Sequence, residues 1–135
     1  MEYRFVVDVP LRWVDVDSEG VVNNAVYLSL VEQARYQYFR HLELLPKGRV
    51  EFLLAEATVR FQRPGRLDME TRVAVRTTTL GNTSFRMHYE IQGGDLVLAS
   101  CEAALVFVDE HMKPSPIPAA VRDAIATFEG IEPGA

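Results

Sequence analysis

Residues 12–35 read RWVDVDSEGVVNNAVYLSLVEQAR, and this stretch decides how the rest of the chain is interpreted. Residues 12–15 continue an alternating run that predicts the end of a strand. Residues 17–20, Asp-Ser-Glu-Gly, are turn formers, because Asp and Ser side chains bond nearby backbone and Gly tolerates conformations that other residues avoid. Beyond the turn, apolar residues fall at helical spacing, which predicts a helix over residues 24–41. The stretch therefore predicts a strand, a tight turn and a long helix in direct succession.

The turn places a carboxylate, that of Asp17, just before the predicted helix. Asn23 and Asn24 are of the residue type that caps helix N-termini, and the unpaired N–H groups there carry partial positive charge. An acid beside an anion-stabilising helix end is an arrangement that can attack a carbonyl group. The same pattern also fits a structural interpretation, in which Asp17 forms an Asx-turn and Asn24 caps the helix.

Length, composition and charge limit the class of protein. The 135 residues predict a single domain over residues 1–135, with room for a proper core. An apolar content of 48% and a charged content of 24% are typical of soluble globular proteins. A net charge of −5 without a Lys/Arg tract predicts no nucleic-acid partner. Cys101, the single cysteine, excludes an intrachain disulfide framework and a cysteine zinc site, and we expect it to be a small buried residue.

The first residues and the carboxylates exclude further classes. Arg4, Asp8 and Arg12 interrupt the opening segment, which is not the pattern of a signal peptide or a membrane span. We therefore expect a cytoplasmic protein with no membrane partner. Neither His nor Cys accompanies Asp15 and Asp17, so we predict no metal site and no cofactor.

Alternating apolar residues predict strands on both sides of the helix. The first runs over residues 5–13, with Pro10 indicating an edge or a bulge. The later strands cover segments separated by turn residues, and we place them over residues 57–62, 69–76, 85–91 and 96–108. In the last of them both alternating sets are apolar, which predicts burial on both faces. Pro118 predicts the start of a short C-terminal helix.

The number of predicted helices and strands indicates whether a single chain can bury its apolar surface. One long helix can cover one face of a five-stranded antiparallel sheet, but not both faces. The remaining apolar surface and the free sheet edges favour a partner subunit. We therefore predict a homo-oligomer, either a homodimer or a homotetramer.

The chain resembles the acyl-CoA thioesterases of the hot-dog fold, specifically the 4-hydroxybenzoyl-CoA thioesterase-like branch. The residues that match the family pattern R-x-x-D-x-D-x-x-G-H-V-N-N-x-x-Y-L-x-x-x-E-x-A-R are Arg12, Asp15, Asp17, Gly20, Val22, Asn23, Asn24, Tyr27, Leu28, Glu32, Ala34 and Arg35. Val21 departs from the pattern, since many members carry His there. The later landmarks Phe61-x-x-Pro64, 89–91 and 113–118 also match, so the resemblance covers nearly the whole chain.

The resemblance implies an α+β hot-dog fold, in which the five-stranded antiparallel sheet wraps around the long helix. It implies an enzyme that hydrolyses an acyl-CoA thioester to the free acid and CoA. Asp17 matches the family's nucleophile or general base, and the backbone N–H of Asn24 matches the donor that polarises the thioester carbonyl. The residues that we assign to substrate binding on this basis are Gly20, Val21, Val22, Tyr27, Arg63, Pro64 and Gly65.

Binding of the CoA phosphates needs local positive charge in an acidic protein. The cations that we consider for this role are Arg60, Arg63, Arg66, Arg86 and Lys113. Of these, Arg63 is the best placed, because it opens the Arg-Pro-Gly loop of residues 63–65, where exposed amides and a guanidinium suit a phosphate.

Several alternatives remain open at the level of sequence. Asp15 is expected to fix the loop, whereas Glu32 is a rival catalytic acid that can also pair with Arg35 on the same helix. A hydratase or dehydratase of the same fold normally uses an Asp–His pair, which Val21 and the scattered histidines disfavour. A non-catalytic acyl-binding or scaffold subunit would keep the fold and the pocket without turnover.

Overall fold

The computed structural model describes residues 2–45 and 51–134 of the chain. Its strands and helices follow in the order β1 (Phe5–Asp8), a 3-10 helix (Trp13–Asp15), α1 (Val26–His41), β2 (Phe52–Phe61), β3 (Thr71–Leu80), β4 (Ser84–Gly93), β5 (Leu96–Phe107) and α2 (Ala119–Glu129). The five strands form one antiparallel sheet in the order β1-β3-β4-β5-β2. The predicted order of elements is confirmed.

The sheet curves around α1, which is the arrangement of the hot-dog fold expected from the resemblance. The helix buries one stripe of side chains against β3, β4 and β1, namely Tyr27, Leu30, Val31, Ala34, Tyr38 and Phe39. Each large apolar side chain buried in this way contributes about 1.5–3 kcal/mol. Packing of this stripe, rather than helix propensity, therefore fixes α1 in the concave face of the sheet.

The start of α1 lies two residues later than predicted. The helix begins at Val26 without a side-chain cap at Ala25, and Asn23, not Asn24, bonds the amides of Ala25 and Val26. The side-chain Oδ1 of Asn23 accepts a hydrogen bond from the Ala25 N–H at 3.0 Å, and its carbonyl accepts one from Val26 at 2.9 Å. The turn residues 46–48 that we expected to terminate the helix lie outside the described part of the chain.

The predicted first strand was too long. β1 ends before Pro10, which cannot donate a ladder hydrogen bond. Residues 13–15 form a 3-10 helix instead of a strand end, and the Trp13 side chain is 83% exposed. The alternation over residues 11–15 is therefore not a strand signal. A local interaction between Asp15 and Arg12, described below, determines the conformation there.

The two faces of β5 differ, contrary to the prediction that both are buried. The face toward α1 is buried, with Ala99, Cys101, Ala103, Leu105 and Phe107 at 0–6% exposure. On the other face Leu98 is buried, Ser100, Ala104 and Val106 are intermediate, and Glu102 is exposed. β5 lies between β4 and β2, so it is an interior strand.

The exposed edge on this side of the sheet belongs to β2. This strand is longer than predicted, and its exposed side chains include Leu53, Leu54 and Phe61, which are 44–52% accessible. It pairs with β5 along one side only, with a register shift between Leu54 and Glu56. Part of the apolar surface that the described chain leaves uncovered therefore lies on β2, at an unpaired edge of the sheet.

The C-terminal helix begins immediately after Pro118, as predicted, and ends at Glu129, before Gly130, whose φ of 67° is left-handed. Within residues 2–45 and 51–134, no helix combines the length and the apolar character that a membrane crossing requires.

Candidate active site

The turn that precedes α1 is held together by the Asp17 carboxylate. Its Oδ1 accepts hydrogen bonds from the backbone N–H groups of Glu19 (2.9 Å) and Val21 (3.1 Å). The Asp17 N–H donates to the Val21 carbonyl at 2.9 Å, which closes the turn. Gly20 has a φ of 75°, a left-handed conformation that L residues rarely adopt. The Asx-turn expected from the sequence is therefore present, and the Asp17 side chain lies exposed at its surface.

Asp15 has a different environment, although it is only two residues away. It is 2% exposed, and its carboxylate accepts hydrogen bonds from the Arg12 backbone N–H (2.8 Å), Nε (3.3 Å) and Nη2 (2.9 Å). Hydrogen bonding from the Arg12 side chain holds the pKa of Asp15 below its usual value. The carbonyl of Asp15 also accepts the Asn23 N–H at 2.9 Å. Asp15 thus fixes the loop, in agreement with the role expected for it.

Asn24 lies in the turn directly before α1. Its side chain is exposed, and its carbonyl accepts a long hydrogen bond from Tyr27 at 3.4 Å. Its own N–H donates to no acceptor among residues 2–45 and 51–134. This N–H is therefore an open donor at the positive end of the helix dipole.

The loop of residues 63–65 is joined to the same region by backbone contacts. The Val22 N–H donates to the Gly65 carbonyl at 2.8 Å, and the Gly65 N–H donates to the Tyr27 hydroxyl at 3.2 Å. A Cβ at Gly65 would lie 3.0 Å from both the Tyr27 Oη and the Val22 Cγ2. A side chain at position 65 would therefore fit only if these neighbours moved by a few tenths of an ångström.

Tyr27 connects the helix to this loop. It is 2% exposed, and burial raises the pKa of its hydroxyl. Its ring packs edge-to-face against Phe61, with ring centroids 5.3 Å apart. Tyr27 is therefore a core residue as well as a wall of the site to which the resemblance assigned it.

These segments enclose a small cleft of about 270 Å³ beside the start of α1. Its lining residues are Val21, Val22, Asn24, Tyr27, Phe61, Gln62, Arg63 and Pro64. Most of the predicted site residues thus meet in one place. Asp17, Gly20 and Gly65 do not line the cleft in the single chain. The Asp17 carboxylate and the Gly65 backbone are hydrogen-bonded to residues that do line it: the Asp17 carboxylate accepts the Val21 N–H, and the Gly65 carbonyl accepts the Val22 N–H.

Two lining residues, Phe61 and Gln62, were not predicted as site residues. Phe61 ends β2 and Gln62 follows it, and alternation along that strand places Phe61 on the inward face. An inward residue is normally buried, yet Phe61 is 52% exposed because it lies at the sheet edge. The missing information was the position of β2 in the sheet, which one sequence does not contain.

The predicted phosphate-binding cations are not all close to the cleft. Arg63 lines it, and its Nη1 donates to the Val97 carbonyl at 3.2 Å while the residue remains exposed. Arg66 is adjacent, since it forms a β-bridge with Val21. The other three cations lie elsewhere, with Arg60 within β2, Arg86 in β4 and Lys113 in the loop after β5.

The other titratable groups considered from the sequence lie away from the cleft. Glu32 is exposed further along α1 and lines a different cavity. His41 packs against Phe5 and Phe128, whereas His88 lies 3.5 Å from Glu102 across β4 and β5. The arrangement therefore offers no histidine beside Asp17.

Neither His111 nor Cys101 lines the cleft. His111 is an exposed loop residue 3.5 Å from Glu110. Cys101 is buried, as predicted, and burial raises its pKa to about 11, so it is a poor thiolate nucleophile. Over the described ranges, no group of three or more His, Cys, Asp and Glu side chains has the geometry to hold a metal ion.

A larger cavity of about 610 Å³ lies at the opposite end of α1. It is bordered by apolar side chains such as Phe39, Leu44 and Val121, and by Glu51 next to the undescribed residues 46–50. It contains none of the predicted site residues. We therefore locate the candidate active site at the smaller cleft, where the helix N-terminus, the turn and the loop converge.

Comparison with known proteins places this architecture in a family. Residues 11–125 match the thioesterase-like superfamily. The chain is 30% identical over 119 residues to the acyl-CoA thioester hydrolase YbgC of Escherichia coli O6:H1, a match that covers 84% of this chain and 89% of YbgC.

Solved structures agree with this match. A thioesterase complexed with coenzyme A and Zn from Thermus thermophilus aligns with a TM-score of 0.86 and 36% identity, over 96% of this chain and 98% of that one. The PA5185 protein from Pseudomonas aeruginosa PAO1 aligns with a TM-score of 0.84, over 96% of this chain and 95% of that one, at 24% identity, and so supports the fold alone.

Proposed function

Because the chain belongs to the thioesterase-like superfamily, we propose that it hydrolyses acyl-CoA thioesters at the cleft beside the start of α1, with Asp17 as the catalytic carboxylate. The acyl-CoA substrate follows from the similarity to YbgC and to a structure bound to coenzyme A. The observation that carries the location is the convergence of Val21, Val22, Asn24 and Arg63 around one cleft.

Asp17 acts on the thioester carbonyl in one of two ways. As a general base, it takes a proton from water, which attacks the carbonyl carbon. As a nucleophile, it forms a mixed anhydride that water then hydrolyses. In both routes the C–S bond breaks, CoA leaves as the thiol and the acyl group leaves as the acid. The two N–H bonds to Oδ1 hold the side chain in one orientation, which lowers the cost of positioning it.

The backbone N–H of Asn24 stabilises the negative charge that develops on the carbonyl oxygen. An open donor at a helix N-terminus is already oriented before the substrate arrives, so it requires no reorganisation during the reaction. Removal of such a donor typically costs about 3–4 kcal/mol of transition-state stabilisation. The Val21 side chain cannot donate a proton to the carbonyl oxygen, so the Asn24 N–H has no competing donor at that position.

The CoA phosphates bind at the loop of residues 63–65. Arg63 lines the cleft and is exposed, and Arg66 follows it at the bridge to Val21. The Arg63 guanidinium at the cleft and the neighbouring Arg66 provide local positive charge in a chain of net charge −5. The loop therefore serves as the nucleotide side of the site, and the helix N-terminus as the thioester side.

The protein assembles as a homodimer or homotetramer through the edge of β2. An unpaired strand edge with exposed Leu53, Leu54 and Phe61 is a surface that natural proteins cover. Phe61 also lines the cleft, so a second copy at this edge would lie next to the site. Light scattering should give at least twice the mass of the chain at micromolar concentration, and a stable monomer would refute the assembly.

The function is tested by hydrolysis of a panel of short, long and aromatic acyl-CoAs, followed through release of the CoA thiol. Turnover of at least one class, lost in Asp17→Asn, is the expected result. If no thioester is hydrolysed while acyl-CoAs still bind in calorimetry, the chain is an acyl-binding subunit and the proposal is wrong.

A further inference from the structure

Arg35, near the middle of α1, is a buried cation without a carboxylate partner. It is only 7% exposed, and its Nε donates to the Tyr89 hydroxyl at 2.8 Å, with Cζ 5.5 Å from the centroid of the same ring. Among residues 2–45 and 51–134, no carboxylate lies within the 4.0 Å of an ion pair with this guanidinium. A buried charge without a counter-ion is strongly unfavourable. Within the described residues no fully buried side-chain nitrogen lacks a hydrogen-bond partner, so the Arg35 nitrogens that make no bond stay accessible to an anion from outside the chain.

Arg35 reaches a cavity between α1 and the first half of β2. The cavity has a volume of about 530 Å³, and its lining residues are Leu28, Glu32, Arg35, Tyr36, Phe39, Phe52, Leu53 and Leu54. Most of this lining is apolar. Leu28, Tyr36, Leu53 and Leu54 are nevertheless 42–47% exposed, far more than apolar residues of a finished core. The surface is continuous with the β2 edge through which we propose self-association.

The cavity also contains one carboxylate, that of Glu32. It is exposed and lies three residues before Arg35 on the same helix, yet it forms no ion pair with it within the chain. The pairing between these two residues that the sequence allowed is thus absent in the single chain. One surface therefore carries an accessible acid and a base that lacks an anion.

Such a surface is complementary in charge to a second copy of itself. In a two-fold symmetric interface, the same patch meets on both subunits, so that if residue i contacts residue j, residue j also contacts residue i. Two copies brought together at this patch can form two equivalent acid–base contacts while covering the exposed leucines. A bound small anion would neutralise Arg35 but would leave the apolar surface exposed.

We propose that Arg35 is neutralised across a two-fold interface by the partner's Glu32, and that the reciprocal pair forms at the same time. The proposal rests on the proposed self-association and adds to it the contact that specifies which surfaces meet. Because Arg35 also bonds to Tyr89 in β4, this contact joins the interface to the interior of each sheet. Glu32 accordingly serves assembly, which removes it as a rival catalytic acid.

The first test is the dimer dissociation constant measured by sedimentation. Glu32→Gln removes both interface pairs and leaves two buried guanidinium groups without an anion, so we expect the constant to rise at least about 10-fold. Glu110→Gln is the matched control, because it removes one carboxylate charge from an exposed loop. Equal constants for the two variants would overturn the proposal.

The second test separates a contact between chains from one within a chain. Glu32→Gln and Arg35→Gln are coexpressed with tags of different mass, and the dimers are counted by native mass spectrometry. The mixed dimer retains one Arg35–Glu32 pair between chains and has no unpaired charge at the other position. We therefore expect it to exceed the statistical half of all dimers.

Each other outcome is decisive. A statistical mixture would mean that the pair forms within one chain or that a bound anion neutralises Arg35, and would overturn the proposal while leaving self-association intact. A monomeric parent protein would refute both. If Arg35→Gln does not fold, as judged by circular dichroism, Arg35→Met, which also removes the charge and keeps an unbranched stem, replaces it, and the Glu32→Gln constant still decides.

Discussion

Replacement of Glu129 with alanine should destabilise the fold more than most single substitutions. Glu129 ends α2 and is 5% exposed. Its Oε2 accepts hydrogen bonds from the Tyr38 hydroxyl in α1 and from the Thr77 N–H in β3, both at 2.7 Å. Burial raises the pKa of Tyr38 well above its usual value, so the phenol remains a proton donor at any ordinary pH. One carboxylate thereby joins three elements.

The size of this loss in unfolding free energy depends on which hydrogen-bond partners remain once the Glu129 carboxylate is removed. The Tyr38 hydroxyl keeps a second partner, Thr77 Oγ1 at 3.0 Å, whereas the Thr77 N–H becomes a buried donor without an acceptor. Hydrogen bonds to a charged group contribute about 1.5–3 kcal/mol each, and loss of two of them predicts a decrease of about 3–6 kcal/mol in the free energy of unfolding. Glu129→Gln keeps one acceptor oxygen and should cost about 1–2 kcal/mol.

Urea denaturation measures this loss directly, provided that the slope of the free energy against denaturant is unchanged. Glu132→Ala, an exposed glutamate three residues later, is the control and should stay within about 0.5 kcal/mol of the parent. A loss below about 1 kcal/mol for Glu129→Ala would show that α2 is held by apolar packing and not by this carboxylate.

Three further predictions concern the site. Gly65→Ala should cost about 1–3 kcal/mol in unfolding free energy, because its Cβ would lie 3.0 Å from Tyr27 and Val22; a neutral result would mean that the loop moves freely. Arg63→Ala should raise KM for acyl-CoA more than it lowers kcat, with little effect on a thioester without the nucleotide; equal effects on both substrates would refute phosphate binding. Asp15→Asn should have a lower free energy of unfolding than the parent at pH 7, and this difference should shrink as the pH falls below about 4. The reason is that the folded-state pKa of Asp15 is lowered, so the stability that the carboxylate adds is lost as the pH falls through that pKa. A difference that does not change with pH would contradict this.

The sequence predicted the fold well where a pattern extends over many residues. The stripe on α1 and the alternation in β3 and β4 are long, and burial in the core follows them closely. It failed where a few local contacts decide. Residues 11–15 continue the alternation of β1, but hydrogen bonds from Arg12 to Asp15 stabilise a 3-10 helix there. The edge position of β2 depends on pairing between distant segments, which no local pattern encodes.

The candidate site was predictable to a similar degree. The turn chemistry of Asp17 and Gly20 and the start of a helix soon after Asn24 follow from the residue types, and the resemblance supplied their roles. The approach of residues 63–65 to the turn was suggested only by the resemblance, because it depends on the folding of β2 back beside α1. The sequence allowed Glu32 to pair with Arg35 on the same helix. It did not predict that the two side chains stay apart within the described chain.

The proposed mechanism assigns the chemistry to Asp17. The most direct measurement is kcat for Asp17→Asn with the best acyl-CoA of the panel, beside Glu32→Gln under conditions that keep both variants dimeric. The Asn side chain preserves the size and the acceptor oxygen for the Glu19 and Val21 amides, while it removes the basic carboxylate. We predict a fall of at least about 100-fold in kcat for Asp17→Asn, with folding and acyl-CoA binding retained, and near-parent turnover for Glu32→Gln. Near-parent turnover by Asp17→Asn would contradict the account, and a collapse confined to Glu32→Gln would transfer the catalytic role to that residue.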